Sequence, residues 1–318
     1  MESSGFGQIV NSRIVAFGGG HGLAATLSAL REISNEITAV VTVADNGGSS
    51  GQLRSEFGIM PPGDLRMALT ALCSDDEWGS GWAEALQHRF ESEGALNGHA
   101  LGNLLLTALW NLNNDPVVGL DKVGELLRIV GRVLPMAAIP IEIEATLKPL
   151  SIGQEERVIR GQVEVAAAAG EVISVRLIPD SPPVLPEVLD AIEKADWVTL
   201  GPGSWYSSVL PHLLVPQIRS ALADSKAKII VFLNLDARPI KDEASALSPE
   251  VQFEFLKTHA PEVKIDYLVA DNSINTPGLE AIAHKYGAQL VLSDLAHHPG
   301  SDQHDRFKVL STLKKLIG

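Results

Sequence analysis

Three glycine-bearing segments each follow a short apolar run: Gly18-Gly19-Gly20-His21-Gly22, Asp45-Asn46-Gly47-Gly48-Ser49-Ser50-Gly51 and Gly201-Pro202-Gly203-Ser204. Their chemistry suits a phosphate-bearing ligand. Glycine lets the backbone approach a ligand closely, and the helix that follows offers unpaired N–H groups and the positive end of its dipole to an anion. The candidates on this ground are Gly19, Gly20, His21 and Gly22 in the first segment and Asp45, Asn46, Gly47, Gly48 and Ser49 in the second. Gly201, Gly203, Ser204 and Ser207 follow in and after the third. Charge-assisted hydrogen bonds contribute about 1.5–3 kcal/mol each, against about 0.3–1 kcal/mol for an exposed helix dipole, so directed N–H and hydroxyl contacts dominate. Asp45 is open to three roles: gripping a ribose or sugar hydroxyl, coordinating a phosphate-bound Mg²⁺, or capping the loop that it opens.

Further candidates stand outside the loops. Asp64 and Arg66 follow Pro61-Pro62-Gly63, so that Asp64 either caps a helix starting at Leu65 or joins Arg66 in a cleft. Asn103, after Gly102, offers a donor and an acceptor to a base or sugar edge, or bonds within the core. Arg238, shortly beyond Asn234, either reaches a phosphate bidentately or lies solvated on a loop.

The elements that must hold these groups read as an open α/β sheet. Ile14–Phe17 stops on glycines and restarts as Leu23, Ala24, Leu27 and Leu30, which predicts strand, turn and helix. Ile37–Val43 is a second strand, and helices are expected over Leu65–Leu72, Trp82–Phe90 and Leu101–Leu112. From Ile141 the pattern changes to strict alternation, and Val158–Val165 and Val172–Ile178 follow as antiparallel strand signals. This is a small β insertion at about 141–178, bounded by Pro140 and the prolines 179, 182, 183 and 186. Strands then resume at Trp197–Leu200, Lys228–Leu235, Asp266–Ala270 and Gln289–Leu292, separated by helical segments at Glu187–Lys194, Leu210–Ala223, Pro249–His259 and Leu279–Tyr286. In such sheets ligands bind outside the carboxyl ends of the strands, where all three glycine segments converge.

A dinucleotide fingerprint fits poorly. Counted from Gly18, the pattern G-x-G-x-x-G needs glycine where the chain has Leu23, although Asp45 stands where a ribose hydroxyl is gripped. The NAD reading is weakened and stays open. The serines of Gly48-Ser49-Ser50-Gly51 do not form the strained elbow of a hydrolase nucleophile. His297, His298 and His304 with Asp302 and Asp305 read as turn chemistry, because they lack the i, i+4 histidine pair of a helical zinc site.

Composition narrows the class. The formal charge of −14 disfavours nonspecific binding to nucleic acid or anionic membranes. The apolar runs are far shorter than the ~20 residues of a membrane helix, and the first thirteen residues are polar, so a cytoplasmic protein without membrane insertion is expected. Cys73 is the sole cysteine and sits among Leu69, Ala71 and Leu72, as a core filler would. At 318 residues the chain can bury roughly 75% of its unfolded surface. Residues 1–12 are expected to be a disordered lead-in to one α/β domain over 13–318.

The glycine runs, together with Pro61-Pro62-Gly63-Asp64-Leu65-Arg66, Gly102-Asn103-Leu104-Leu105, Gly201–Pro211 and Asn234-Leu235, resemble the gluconeogenesis-factor (YvcK-type) family of the CofD-like superfamily. The resemblance covers nearly the whole chain in order. It implies a Rossmann-like fold, a mostly parallel sheet with helices on both faces, and a ligand cleft formed by these loops. It further implies binding of UDP-sugars such as UDP-N-acetylglucosamine, with links to gluconeogenic growth, cell-wall synthesis and cell shape. The transferase branch of the superfamily instead joins a phospholactyl group to a deazaflavin. Two departures bear on chemistry: many members have Thr at the place of His21, and most have a second Asp at the place of Asn46. The second removes a charge and puts a two-carboxylate Mg²⁺ site in doubt at this loop.

The resulting expectation is a nucleotide-sugar-binding regulator that needs no cofactor, with Mg²⁺ entering only through ligand phosphates. A CofD-like transferase and an NAD-binding protein remain the alternatives. The partner expected is a small nucleotide ligand rather than nucleic acid; a homo-oligomer is compatible with the chain, and no downstream protein partner is indicated.

Overall fold

The structure is a computed structural model that describes residues 11–113, 115–149, 155–168, 172–235, 248–274 and 277–318. In chain order the strands are β1 (Ile14–Gly18), β2 (Ile37–Val41), β3 (Arg132–Pro135), β4 (Glu142–Leu147), β5 (Arg157–Arg160), β6 (Val172–Ile178), β7 (Trp197–Leu200), β8 (Lys228–Phe232), β9 (Tyr267–Asp271) and β10 (Gln289–Ser293). The helices are α1 (Gly20–Leu30), α2 (Gly48–Phe57), α3 (Pro62–Ala71), α4 (Glu77–Gln87), α5 (Leu101–Asn113), α6 (Pro116–Leu127), α7 (Gln162–Ala167), α8 (Pro186–Lys194), α9 (Leu210–Leu214), α10 (Pro216–Asp224), α11 (Pro249–His259), α12 (Pro277–Lys285) and α13 (Arg306–Ile317).

Continuous apolar runs such as Ile14-Val15-Ala16-Phe17 are buried on both faces of their strand, the signature of a parallel sheet covered on both sides. Among the described residues the main sheet has seven strands in the order β10-β9-β8-β7-β1-β2-β3, all parallel. The order reverses between β1 and β7. The chain leaves β1 through α1 to β2 in one direction and leaves β7 through α10 to β8 in the other. Right-handed crossovers therefore place these helices on opposite faces. Phe17, Phe232 and Phe253 are among the largest fully buried side chains of the resulting core.

The insertion is a separate antiparallel sheet, β5-β4-β6, in which β4 buries Ile143, Ala145 and Leu147 by strict alternation. Its middle differs from the expected strand Val158–Val165. The strand ends at Arg160, Gly161 turns with φ +109°, and Gln162–Ala167 forms α7. A positive φ is the step that breaks the ladder there. The strand Ile37–Val43 is likewise shorter, ending at Val41, and the extended run Lys228–Leu235 ends at Phe232. Leu210–Ala223 is divided at Val215 by Pro216, and a turn of π-helix over Trp205–Val209 precedes it. Asp64 does not cap its helix: α3 begins two residues earlier, on Pro62 with Pro61 as N-cap, because proline already holds the φ of a first helical position.

Candidate functional site

At the reversal of strand order the loops after β1 and β7 dock on each other. A Cβ on Gly22 would penetrate the carbonyl of Pro202, so glycine there is what allows the two loops to touch. The contact is held by Thr26, whose hydroxyl lies 3.3 Å from the carbonyl oxygens of both Gly22 and Gly201. Gly203 has φ +150°, a conformation side chains rarely adopt, and its N–H donates to Asn234 Oδ1 at 3.0 Å. Behind the loops, buried His212 brings Nε2 to 3.3 Å from the Gly18 carbonyl oxygen, and burial pushes its pKa down to about 4, so the ring is neutral at ordinary pH.

Beside this junction is a cleft of about 310 Å³ lined by Asp45, Gly47, Gly48, Ser49, Ser50, Gly63, Asp64, Arg66, Met67 and Arg89. The segment after Asp45 turns directly into α2, with Gly47 as an N-cap that supplies no side-chain acceptor and no acid in the first turn. Asp45 Oδ1 accepts from Gly47 N–H at 2.8 Å, which fixes the start of the turn. Ser50 Oγ accepts from Gly63 N–H at 3.0 Å and ties the starts of α2 and α3 together. Ser49 Oγ accepts from Asn103 Nδ2 and lies against His99 Nδ1, both at 3.0 Å.

The electrostatics of the cleft are unbalanced. Asp64 accepts from Gly20 N–H, but burial and the neighbouring Asp45 carboxylate raise its pKa to about 7. Arg66 is 3% exposed, and its Nε and Nη1 have no hydrogen-bond partner. Burial, and the nearby charge of Arg89, lower its pKa to about 10, which still leaves it cationic. An unsatisfied buried donor costs about 1–3 kcal/mol, and more when charged. A buried group of this kind calls for a partner such as an ordered water or ion. Asp45 and Asp64 both line the cleft, so a second carboxylate stands near Asp45, supplied by α3 and not by position 46.

The structure thus gathers Asp45, Gly47, Gly48, Ser49, Asp64 and Arg66 around one cleft, with Gly19 and Gly20 against Asp64; a Cβ on Gly19 would lie 2.5 Å from Asp64 Oδ2. Asn103 stands one layer behind, through Ser49. Gly22, Gly201, Gly203 and Asn234 build the docked loops, Ser204 is exposed beside them, and buried Ser207 receives Thr42 Oγ1 on its carbonyl at 3.2 Å. His21 is exposed on the first turn of α1. Asn46 has both polar atoms engaged by α7: Nδ2 donates to Glu164 Oε2 at 2.8 Å, and Oδ1 accepts from Val163 N–H at 3.0 Å. Arg238 lies outside the described residues. Sequence reasoning missed Arg89 and His99, which carry no local motif and reach the cleft only through the chain reversal between α4 and α5. Ser50 and Gly63 lay inside the quoted motifs and could have been named. Among the described residues no group of three or more His, Cys, Asp or Glu is placed to hold a metal; His297 Nδ1 instead lies 3.2 Å from Asp305. Cys73 is buried, as a core filler.

The family model described as 2-phospho-L-lactate transferase CofD matches residues 14–306. The chain belongs to the CofD family. The chain is 46% identical over 306 residues to a putative gluconeogenesis factor of Mycobacterium leprae, covering 94% of this chain and 84% of the relative. With the gluconeogenesis factor of Bacillus subtilis it shares 36% identity over 253 residues, 77% of each chain. The crystal structure of protein BH3568 from Bacillus halodurans superposes with a TM-score of 0.83 at 29% identity, covering 96% of this chain and 100% of that one. A second structure of BH3568, described there as a member of the UPF0052 family, gives a TM-score of 0.80. Among the described residues no helix of this CofD-family chain is long and apolar enough to cross a membrane.

Proposed function

We propose that this CofD-family protein is a regulatory protein that binds a nucleotide sugar of the UDP-N-acetylglucosamine type without turning it over, in the service of gluconeogenic growth, cell-wall synthesis and cell shape. The observation that supports the reading is the docking of the Gly18–Gly22 and Gly201–Ser204 loops at the point where strand order reverses. In open α/β sheets that crevice is where nucleotides bind. The names of the relatives, gluconeogenesis factors, agree with a role in carbon metabolism. One observation favours a second reading. Asp45 stands close enough to Asp64 to help raise its pKa, and two neighbouring acids are what a metal-assisted phosphoryl or phospholactyl transferase would use.

Calorimetric titration with UDP-N-acetylglucosamine and with NAD tests the ligand class, and phosphorus NMR of the same mixtures with Mg²⁺ tests turnover. The expected result is tighter binding of the UDP-sugar and an intact ligand over hours. Tighter NAD binding would overturn the ligand class. Sustained release of UDP or UMP that disappears in Asp45→Ala would replace the regulator with the transferase.

A further inference from the structure

We propose that the outer face of α4 is a docking site for a basic, arginine-bearing segment of a partner protein. It shares no lining residue with the cleft between α2 and α3 and does not rest on the function proposed above. Glu77, Trp78, Gly81, Trp82 and Ala85 line an open groove of about 480 Å³. The two indoles stand 5.9 Å apart and inclined at 55°, and Trp78 is 43% exposed. Tryptophan is among the side chains that most often anchor a protein interface.

Gly81 shows that the groove is kept open. In a helix interior glycine is the most costly residue after proline, so it is retained where something needs the space. Gly79 on the same helix is required by the fold, because a Cβ there would come within 2.1 Å of the Ser74 carbonyl oxygen. At Gly81 a Cβ would meet nothing within 4 Å, and the backbone is not left-handed. No contact among the described residues calls for glycine at 81; what its missing side chain does is leave room between Trp78 and Trp82.

The surrounding charges select a cation. Glu77 lines the groove, and Glu84, seven positions on, shares that face of the helix. Both are exposed and neither forms an ion pair among the described residues, whereas Asp75 and Asp76 are engaged by Arg31 and Arg128. Arg128 shows how a guanidinium fits here. It has a left-handed backbone, φ +51°, and places its guanidinium 5.1 Å from the centre of the Trp78 ring and 3.9 Å from the Asp76 carboxylate. Stacking on an indole while pairing with a carboxylate is arginine chemistry, which a lysine reproduces poorly. Trp78 Nε1 donates to the Leu126 carbonyl at 2.8 Å, so this indole is already held in place before a partner arrives. Trp82 and Glu77 offer the same pair of groups, indole and carboxylate, to an arginine from outside.

The test is calorimetric titration of the full chain with a blocked peptide of four Pro-Arg repeats, an extended basic probe, for wild type, Gly81→Gln and Glu77→Gln; a peptide of Pro-Glu repeats is the control. Circular dichroism checks that each variant folds. Gly81→Gln changes no charge, and its Cβ enters open space, so it fills the groove while favouring the helix. Saturable binding of the arginine peptide is expected in the wild type, weakened about tenfold in Gly81→Gln and about threefold in Glu77→Gln, with no binding of the glutamate peptide. Absence of saturable binding overturns the proposal. Wild-type affinity in Gly81→Gln also overturns it, because the peptide would then be answering only the net charge of −14. Sedimentation that shows a dimer dissociating in Gly81→Gln would assign the face to a second copy of the chain and overturn it as well. If Gly81→Gln does not fold, unchanged affinity in Glu77→Gln is the overturning result.

Discussion

Replacing Asp64 by Asn should stabilise the protein, by an amount set by pH. The carboxyl ionises near 3.8 in an unfolded chain and near 7 in the folded one, because burial and the Asp45 charge oppose its ionisation. Below about pH 4 both states keep the proton, and the group makes no contribution. Between 4 and 7 the unfolded chain ionises while the folded one does not, so wild-type stability falls as pH rises. Above 7 the full cost is present. A shift of about three units is worth about 4 kcal/mol at 1.36 kcal/mol per unit. Asn is neutral throughout and keeps an oxygen for the Gly20 N–H, so its advantage over wild type should be near zero at about pH 4 and approach 4 kcal/mol at about pH 8. Urea denaturation of both proteins at several pH values measures this difference directly. A difference that does not change with pH, or an Asn variant less stable than wild type at pH 8, would refute the argument that Asp64 is held against its own charge. The stabilised variant should at the same time lose any Mg²⁺-dependent part of ligand affinity, the usual exchange between a strained site and its function.

Gly22→Ala should part the loops after β1 and β7, since the added Cβ meets the Pro202 carbonyl; overpacking of this kind costs about 1–3 kcal/mol. An unchanged denaturation midpoint would show that the loops do not dock as described. His212 should remain neutral down to about pH 4, and its reluctance to ionise should remove stability as pH falls from 6.5 towards 4. Nitrogen chemical shifts of the imidazole recording protonation near 6.5 would contradict its burial.

Where the chain spells out apolar runs against glycine and proline, the fold was legible. Trp197–Leu200 is a strand with the expected bounds, and the alternation from Ile141 is the buried-and-exposed alternation of β4. The failures have physical causes. Gly48-Ser49-Ser50-Gly51 reads as loop because its residues are poor helix formers, yet α2 starts there because the tie from Ser50 to Gly63 N–H supplies tertiary support. The strand β3 has four residues and no alternation to announce it; pairing with β2 makes it. Glycine spacing raised the expectation of a phosphate ligand, but the pairing of Asp45 with Asp64 in one cleft could not be read, because nothing local relates two acids on different elements. Arg66 could be named and its isolation could not: whether a guanidinium has partners is a property of the packing around Gly102, which no single segment encodes.

The clamp of Asn46 on α7 has an evolutionary corollary. The amide is the one side-chain type of its size that both donates and accepts, and here it donates to Glu164 Oε2 and accepts from Val163 N–H. An Asp at 46 would keep the acceptor and set two carboxylates against each other. At this exposed contact the repulsion costs up to about 1 kcal/mol, so the replacement is favoured in a chain that has also given up the acid at 164. Positions 46 and 164, separated by 118 residues, should change hands together across the family, Asn with Glu and Asp with a donor or a neutral residue. The choice of residue in the glycine segment is thus dictated from within the β insertion.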